Sequence, residues 1–230
     1  MQTPTHAIDI PRISSPSPAS APHGAAERYL LSEMDWTEQQ EVAEAALTLI
    51  HSRQQISPKR LGEPGPDLAQ IEDILTAAGA APDHGLLTPW RLVIIPPARR
   101  HLLAEAFAEA LVERDGEATE AQKQDAREKA YRGPFLIIVI ARLGLALGST
   151  HPQERLISAG CAVQNMLLAA HAMGFGAGLS SGRALYSQRM RLLFGLAEDE
   201  QPLCFMTVGT VRKCKPARAR PTMGDYTCIL

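Results

Sequence analysis

The stretch Phe135-Leu136-Ile137-Ile138-Val139-Ile140 decides the reading of the fold. It is an unbroken apolar run after the breaker Gly133-Pro134, and its β-branched residues suit a pleated strand better than a helix. Downstream, the pattern predicts a long helix from about Pro152 to Met173. It is apolar nearly all round, through Leu156, Ile157, Ala159, Ala162, Val163, Met166, Leu167, Leu168, Ala169 and Ala170. A helix without a polar face belongs in a core or at an obligate interface. Gly174-Phe175-Gly176 ends it.

Upstream of the strand, Thr37 with Gln40 predicts a capping box, and Val42, Ala45, Ala46, Leu49 and Ile50 follow at helical spacing. Asp67 with Gln70 opens a second helix that carries Leu68, Ile71, Ile74, Leu75 and Ala78 on one face. Asp83 to Pro89 reads as a loop and Arg91-Leu92-Val93-Ile94-Ile95 as a buried strand. Helices are expected over about 98–114 and 119–131, a short one over 187–194, and a last strand over 203–211. Helices first, then strands and helices interspersed, indicate an α+β or mixed α/β layout.

The chain has 230 residues, 45% of them hydrophobic and 21% charged, enough for a core. Aromatics are only 5%, so aliphatic side chains must build most of it. Residues 1–30 are rich in Pro, Ser and Ala and read as a flexible tail; residues 31–230 read as a single domain. The formal charge of −2 argues against a nucleic-acid partner, which requires a basic surface. No run approaches the roughly 20 apolar residues of a membrane span. The N-terminus lacks the order of a signal peptide, so a cytoplasmic protein is expected. None of Cys161, Cys204, Cys214 and Cys228 forms a C-x-x-C pair, so no metal site is expected and a reducing compartment is the simpler reading.

Four places offer chemistry. Arg53-Gln54-Gln55, just past a helix, has a planar guanidinium suited to phosphate, or is a solvated helix end. The loop Pro82-Asp83-His84-Gly85-Leu86-Leu87-Thr88-Pro89-Trp90 presents Asp83 and His84 beside a buried strand, to a ligand or to solvent. Gly174 to Gly182 is glycine-rich but follows a helix, unlike a P-loop or dinucleotide fingerprint. It lets backbone approach a planar ligand, or is a C-cap and turn. The run Arg212 to Pro221 holds five cations in a nearly neutral chain, a mobile end or an arginine source for a bound phosphate. Cys161 and His84 have no spacing that marks a catalytic pair.

In their order these pieces resemble the nitroreductase family of flavin enzymes, in its compact branch with Pro-Asp-His ahead of Pro-Trp. The matching residues are Ser52-Arg53-Gln54-Gln55 with Arg60-Leu61, Ala81-Pro82-Asp83-His84 with Pro89-Trp90-Arg91, Ala159 to Ala170 with Gly174-Phe175-Gly176, and Val208-Gly209-Thr210 with Arg218-Ala219-Arg220-Pro221. The resemblance implies an α+β fold, a mainly antiparallel sheet flanked by helices, in an intertwined homodimer with FMN at the interface. It implies FMN contacts by Arg53, Gln54, Gln55, His84, Leu179, Ser180, Ser181, Arg218 and Arg220. Ala169, Ala170, His171, Ala172, Met173 and Gly174 match a stretch linked to NADH or NADPH. The implied reaction passes a hydride from NAD(P)H through FMN to a small oxidant such as a nitroaromatic or quinone, in a ping-pong cycle with no protein nucleophile. The alternative is a flavin-binding homodimer without turnover. Gln54 and Gln55 stand where the family commonly has Arg and Ser, and Leu86 and Thr88 where it often has Asn and Gln. Trp90, Phe175 and Tyr131 are the aromatics expected near the ring.

Overall fold

The computed structural model describes residues 34–144, 150–214, 216 and 219–230. The expected tail, residues 1–30, and Arg218 lie outside the described residues. The chain order is α1 (Trp36–Ser52), β1 (Leu61–Gly62), α2 (Leu68–Thr76), β2 (Trp90–Ile94), α3 (Arg100–Arg114) and α4 (Glu120–Glu128). Then come β3 (Phe135–Arg142), α5 (Pro152–Ala172), β4 (Gly176–Ser180), α6 (Gln188–Phe194) and β5 (Glu200–Val211).

The five strands form one sheet in the order β1-β5-β3-β2, with β4 also paired to β5, and every strand pair is antiparallel. Strand β3 lies between β2 and β5, and its alternate residues feed two cores. Phe135, Ile137, Val139 and Ala141 pack with Ile74 of α2 and with Ala159, Ala162 and Met166 of α5. Leu136, Ile138 and Ile140 pack with Leu103 and Ala106 of α3 and with Met190 and Phe194 of α6. Ile137, Ile138, Val139 and Ile140 are fully buried, and each such side chain contributes about 1.5–3 kcal/mol relative to exposure. The run that was legible as a strand is therefore apolar because it is covered on both faces.

Two expectations change. Helix α1 starts earlier than the Thr37/Gln40 pattern predicts. Its N-cap is Asp35, whose carboxylate accepts the Glu38 N–H at 2.9 Å while Glu38 accepts the Asp35 N–H at 3.0 Å. A carboxylate at this end is further favoured by the helix dipole. The glycine-rich Gly176–Ser180 is strand β4 rather than a turn, paired with Phe205–Gly209 of β5. Tertiary pairing overrides the poor strand propensity of glycine there. The Asp67/Gln70 capping box of α2 forms as expected.

Cross-strand ties lock the sheet. Arg91 of β2 donates twice to Glu200 of β5, at 2.9 and 2.7 Å. Burial pushes the Glu200 carboxyl up, but its hydrogen bonds from Arg91 and the Ala197 N–H, with the Arg91 and Arg142 charges, outweigh this and hold it below its ordinary value. No helix among the described residues is long and apolar enough to cross a membrane.

Candidate active site

The site starts where α1 stops. Arg53 leaves the helix with extended backbone, and the chain runs along the outer edge of β4. The Ile56 N–H donates to the Ala177 carbonyl at 3.0 Å. The Gln55 amide then makes a reciprocal pair with Leu179, donating to its carbonyl at 2.5 Å and accepting its N–H at 3.1 Å. This approach needs Gly178. A Cβ there would sit 1.9 Å from the Ile56 carbonyl oxygen, so no side chain fits.

The result is a cleft of about 1130 Å³ beside the sheet. Arg53, Gln54 and Gln55 form one wall, and Leu179, Ser180 and Ser181 another. Leu136, Phe205 and Thr207 present the sheet, with Phe107 of α3 beside them. The Phe107 and Phe205 rings are tilted at 58° with centroids 5.5 Å apart. The C-terminal segment closes the rim through Pro216, Ala219, Arg220 and Pro221.

Two arginines meet at this rim. Arg220 donates to the backbone carbonyl of Arg53 and, at 3.5 Å, to that of His51. Burial and then the Arg220 charge pull the Arg53 guanidinium below its usual value, and its buried Nε has no hydrogen-bond partner. Two like charges with a buried unpaired donor are a costly arrangement that an anion between them would relieve. A phosphate monoester matches, since guanidinium forks bind its oxygens in pairs.

The expected residues separate into groups. Arg53, Gln54, Gln55, Leu179, Ser180, Ser181 and Arg220 line the cleft together. His171 and Gly174 line a second cavity of about 260 Å³ on the other side of Arg53 and Gln54, with Phe175. His171 Nε2 lies 2.8 Å from the Ser52 hydroxyl. Ala170 is buried in the core, Ala169 and Met173 pack against it, and Ala172 is exposed.

His84 does not line the cleft of its own chain. It is largely exposed, and its Nδ1 lies 3.0 Å from Glu154 near the start of α5. Its loop is strained, with φ of 53° at Leu86 and 44° at Thr88, a region bulky and β-branched residues rarely adopt. Asp83 holds the loop by accepting the Thr88 N–H at 2.6 Å. Strain of this kind concentrates at functional segments.

The aromatics also differ from expectation. Trp90 is core and Tyr131 is exposed, while Phe107 and Phe205 reach the cleft. Cys204 is buried on β5, with its thiol pushed up to about 11 by burial, and neither it nor Cys161 lines the cleft. Arg60, part of the Arg60-Leu61 match, lines the cleft as well, and sequence reasoning missed Arg114, Lys129, Arg132 and Arg183, which reach it from other elements. No local pattern marks them.

The arrangement defines an α+β protein with a large cation-lined cleft at the edge of its sheet. The chain belongs to the nitroreductase family, whose model matches residues 50–210. Two relatives named "Putative NAD(P)H nitroreductase" are each 33% identical. That of Haemophilus influenzae aligns over 165 residues, 72% of this chain and 88% of its own length. That of Escherichia coli, YdjA, aligns over 168 residues, 72% of this chain and 87% of its own. Among solved structures, a nitroreductase-like family protein from Bacillus cereus superposes with a TM-score of 0.69 at 18% identity, covering 80% of this chain and 95% of that one. The FMN-dependent nitroreductase NfnB from Mycobacterium smegmatis, in complex with NADPH, gives 0.62 at 17% identity, covering 82% and 99%.

Proposed function

We propose that the protein is an FMN-dependent oxidoreductase that draws on NADH or NADPH and reduces a small oxidant, a nitroaromatic, a quinone or a similar molecule. Family membership supports the enzyme class and the pairing of FMN with NAD(P)H. The observation that carries the reading in this chain is the pairing of Arg53 and Arg220, tied by the Arg220 hydrogen bond to the Arg53 carbonyl, at the rim of a cleft large enough for a flavin.

The residues present fit FMN. Arg53 and Arg220 take the phosphate. Gln54 is the side chain placed for the ribityl hydroxyls, since the Gln55 amide is engaged with Leu179. Gln55 thus acts by holding Leu179, Ser180 and Ser181 against the cleft. The Ser180 and Ser181 hydroxyls make no hydrogen bond among the described residues and are available to the ring edge. Phe205 and Leu136 supply an apolar wall that excludes water. When bound, FMN would supply the redox chemistry that couples oxidation of NAD(P)H to reduction of the small oxidant in a ping-pong cycle. The chain itself binds and orients, and needs no nucleophile. Of the stretch Ala169–Gly174, which the reading assigns to the reductant, His171 and Gly174 line the cavity next to Arg53 and Gln54.

The reading includes a homodimer. Helix α1 buries no residue, and Val42, Leu47 and Ile50 are exposed on it. Ile157 of α5 and Met223, Tyr226, Ile229 and Leu230 near the C-terminus are exposed too. Apolar surface on this scale is what a second copy covers. In such a dimer the strained loop with His84 serves the other subunit's cleft. Arg218, which the family resemblance would add to the phosphate's cations, lies outside the described residues.

Purified protein should be yellow and release FMN on denaturation. It should oxidise NADH or NADPH in the presence of nitrofurazone or menadione. A yellow protein inert with every acceptor would reassign it as a flavin-binding homodimer without turnover. A colourless protein whose thermal stability is unchanged by added FMN would refute the cofactor reading.

A further inference from the structure

Beyond Arg53 and Arg220, five cations line the same cleft: Arg60, Arg114, Lys129, Arg132 and Arg183. No aspartate or glutamate lines it among the described residues. This is not the background of a basic protein, because the chain carries a formal charge of −2. The cations also converge from four places. Arg60 comes from the turn before β1, Arg114 from the end of α3, Lys129 and Arg132 from the turns before β3, and Arg183 from the turn after β4.

Neighbouring cations outside the cleft are treated differently. Arg127 of α4 pairs with Glu105 of α3 at 2.9 Å, Arg189 of α6 pairs with Glu109 of α3, and Lys123 pairs with Glu120 at 2.9 Å. Glu113, beside Arg114, accepts the Gln188 N–H at 3.1 Å instead. So the carboxylates of α3 serve outward-facing groups. No described carboxylate lies within ion-pairing distance of the five cleft cations. Arg60 moreover has a buried Nη1 with no hydrogen-bond partner.

One phosphate monoester carries about −1.5 to −2 charges, which Arg53 and Arg220 already balance. The cleft, at about 1130 Å³, is also larger than the roughly 300–1000 Å³ of most small-molecule sites. Unpaired cations converging on one cleft raise its local positive potential and attract an anion.

We propose that Arg114, Lys129, Arg132 and Arg183, with Arg60, form an anion-recognition arm of the cleft, which selects a substrate bearing a phosphate or carboxylate group. The proposal rests on the oxidoreductase reading and names the substrate class of that site. The anion has two possible carriers, the ribose phosphate that distinguishes NADPH from NADH, or a carboxylate on the oxidant.

The test compares the wild-type protein with R114Q/K129Q/R183Q, whose altered side chains are exposed and unpaired, so folding is retained. FMN content is measured first and should be unchanged. Ratios of kcat/KM are then taken for NADPH over NADH, and for 4-nitrobenzoate over 4-nitrobenzamide. Loss of three charge-assisted contacts should lower one of these ratios at least about tenfold. The ratio that falls identifies the carrier. Calorimetric titration of the FMN-loaded protein with 4-nitrobenzoate and with NADP⁺ should show the same loss without turnover. Loss of FMN from the variant, or ratios and affinities within about twofold of wild type, would overturn the arm. A colourless, inactive wild-type protein would instead refute the cofactor reading. The same titrations would then decide the arm separately, through anion affinity that the triple variant loses or keeps.

Discussion

Arg100 is the most informative single perturbation of the scaffold under the cleft. It is 3% exposed, and burial pulls its guanidinium below its usual value against a smaller opposing effect of Glu63. No carboxylate among the described residues pairs with it; it donates to five backbone carbonyls instead. These are Ala130 at 2.9 Å, Pro134 at 3.0 Å, Ile95 at 3.1 Å, Gly133 at 3.2 Å and Arg132 at 3.4 Å. The side chain thereby holds the turn that delivers Lys129 and Arg132 to the cleft. In Arg100→Met, the carbonyls of Arg132, Gly133 and Pro134 are near enough to solvent to be rehydrated. Those of Ala130, fully buried, and Ile95, 5% exposed, lose a donor that water does not replace. Two orphaned carbonyls at about 1–3 kcal/mol each, partly offset by relief of the buried charge, give a net loss of about 3 kcal/mol. For a chain of this size that lowers Tm by about 6–12 °C. Differential scanning calorimetry at saturating FMN measures it. Arg100→Lys, with fewer donors in a different geometry, should recover only part of the loss. A Tm within about 2 °C of wild type for Arg100→Met would refute the assignment.

Two further outcomes follow from the same geometry. Arg53→Ala should weaken FMN binding about 10- to 100-fold by removing a charge-assisted contact, read by fluorescence titration of the apoprotein; unchanged affinity would disprove the phosphate assignment. Glu200 has a folded pKa below its unfolded value of about 4.3, so its contribution is present above that value and is lost as pH falls through the lower folded one. Glu200→Gln should therefore lose about 2–4 kcal/mol at pH 7 and show a shallower loss of Tm below about pH 4; an acid profile parallel to wild type would count against the Arg91–Glu200 tie.

Much of the fold was legible because its signals are local. The run Phe135 to Ile140 shows continuous apolar character, and the α2 capping box is written within four residues. The start of α1 was misplaced because two capping patterns overlap, and Asp35 wins by charge as well as by hydrogen bonding. Strand β4 was missed because glycines at 176 and 178 carry no strand signal. They are there for close approach, and only the neighbouring chain at Ile56 makes that visible.

The site divides in the same way. Chain order alone pointed to Arg53, Gln54, Gln55 and Leu179 to Ser181, because a family's motif order persists in sequence. The structure decided that Gln55 clamps Leu179, that Arg220 reaches Arg53, and that His84 stands away from its own chain's cleft. It also gathered Arg114, Lys129, Arg132 and Arg183 from segments up to 69 residues apart, counted from Arg114 to Arg183. Residue types, caps and apolar periods act over one turn or one strand, so a linear reading captures them. The charge of a cleft depends on which distant segments the packed sheet and helices bring together, and on which carboxylates the neighbouring helices have already engaged.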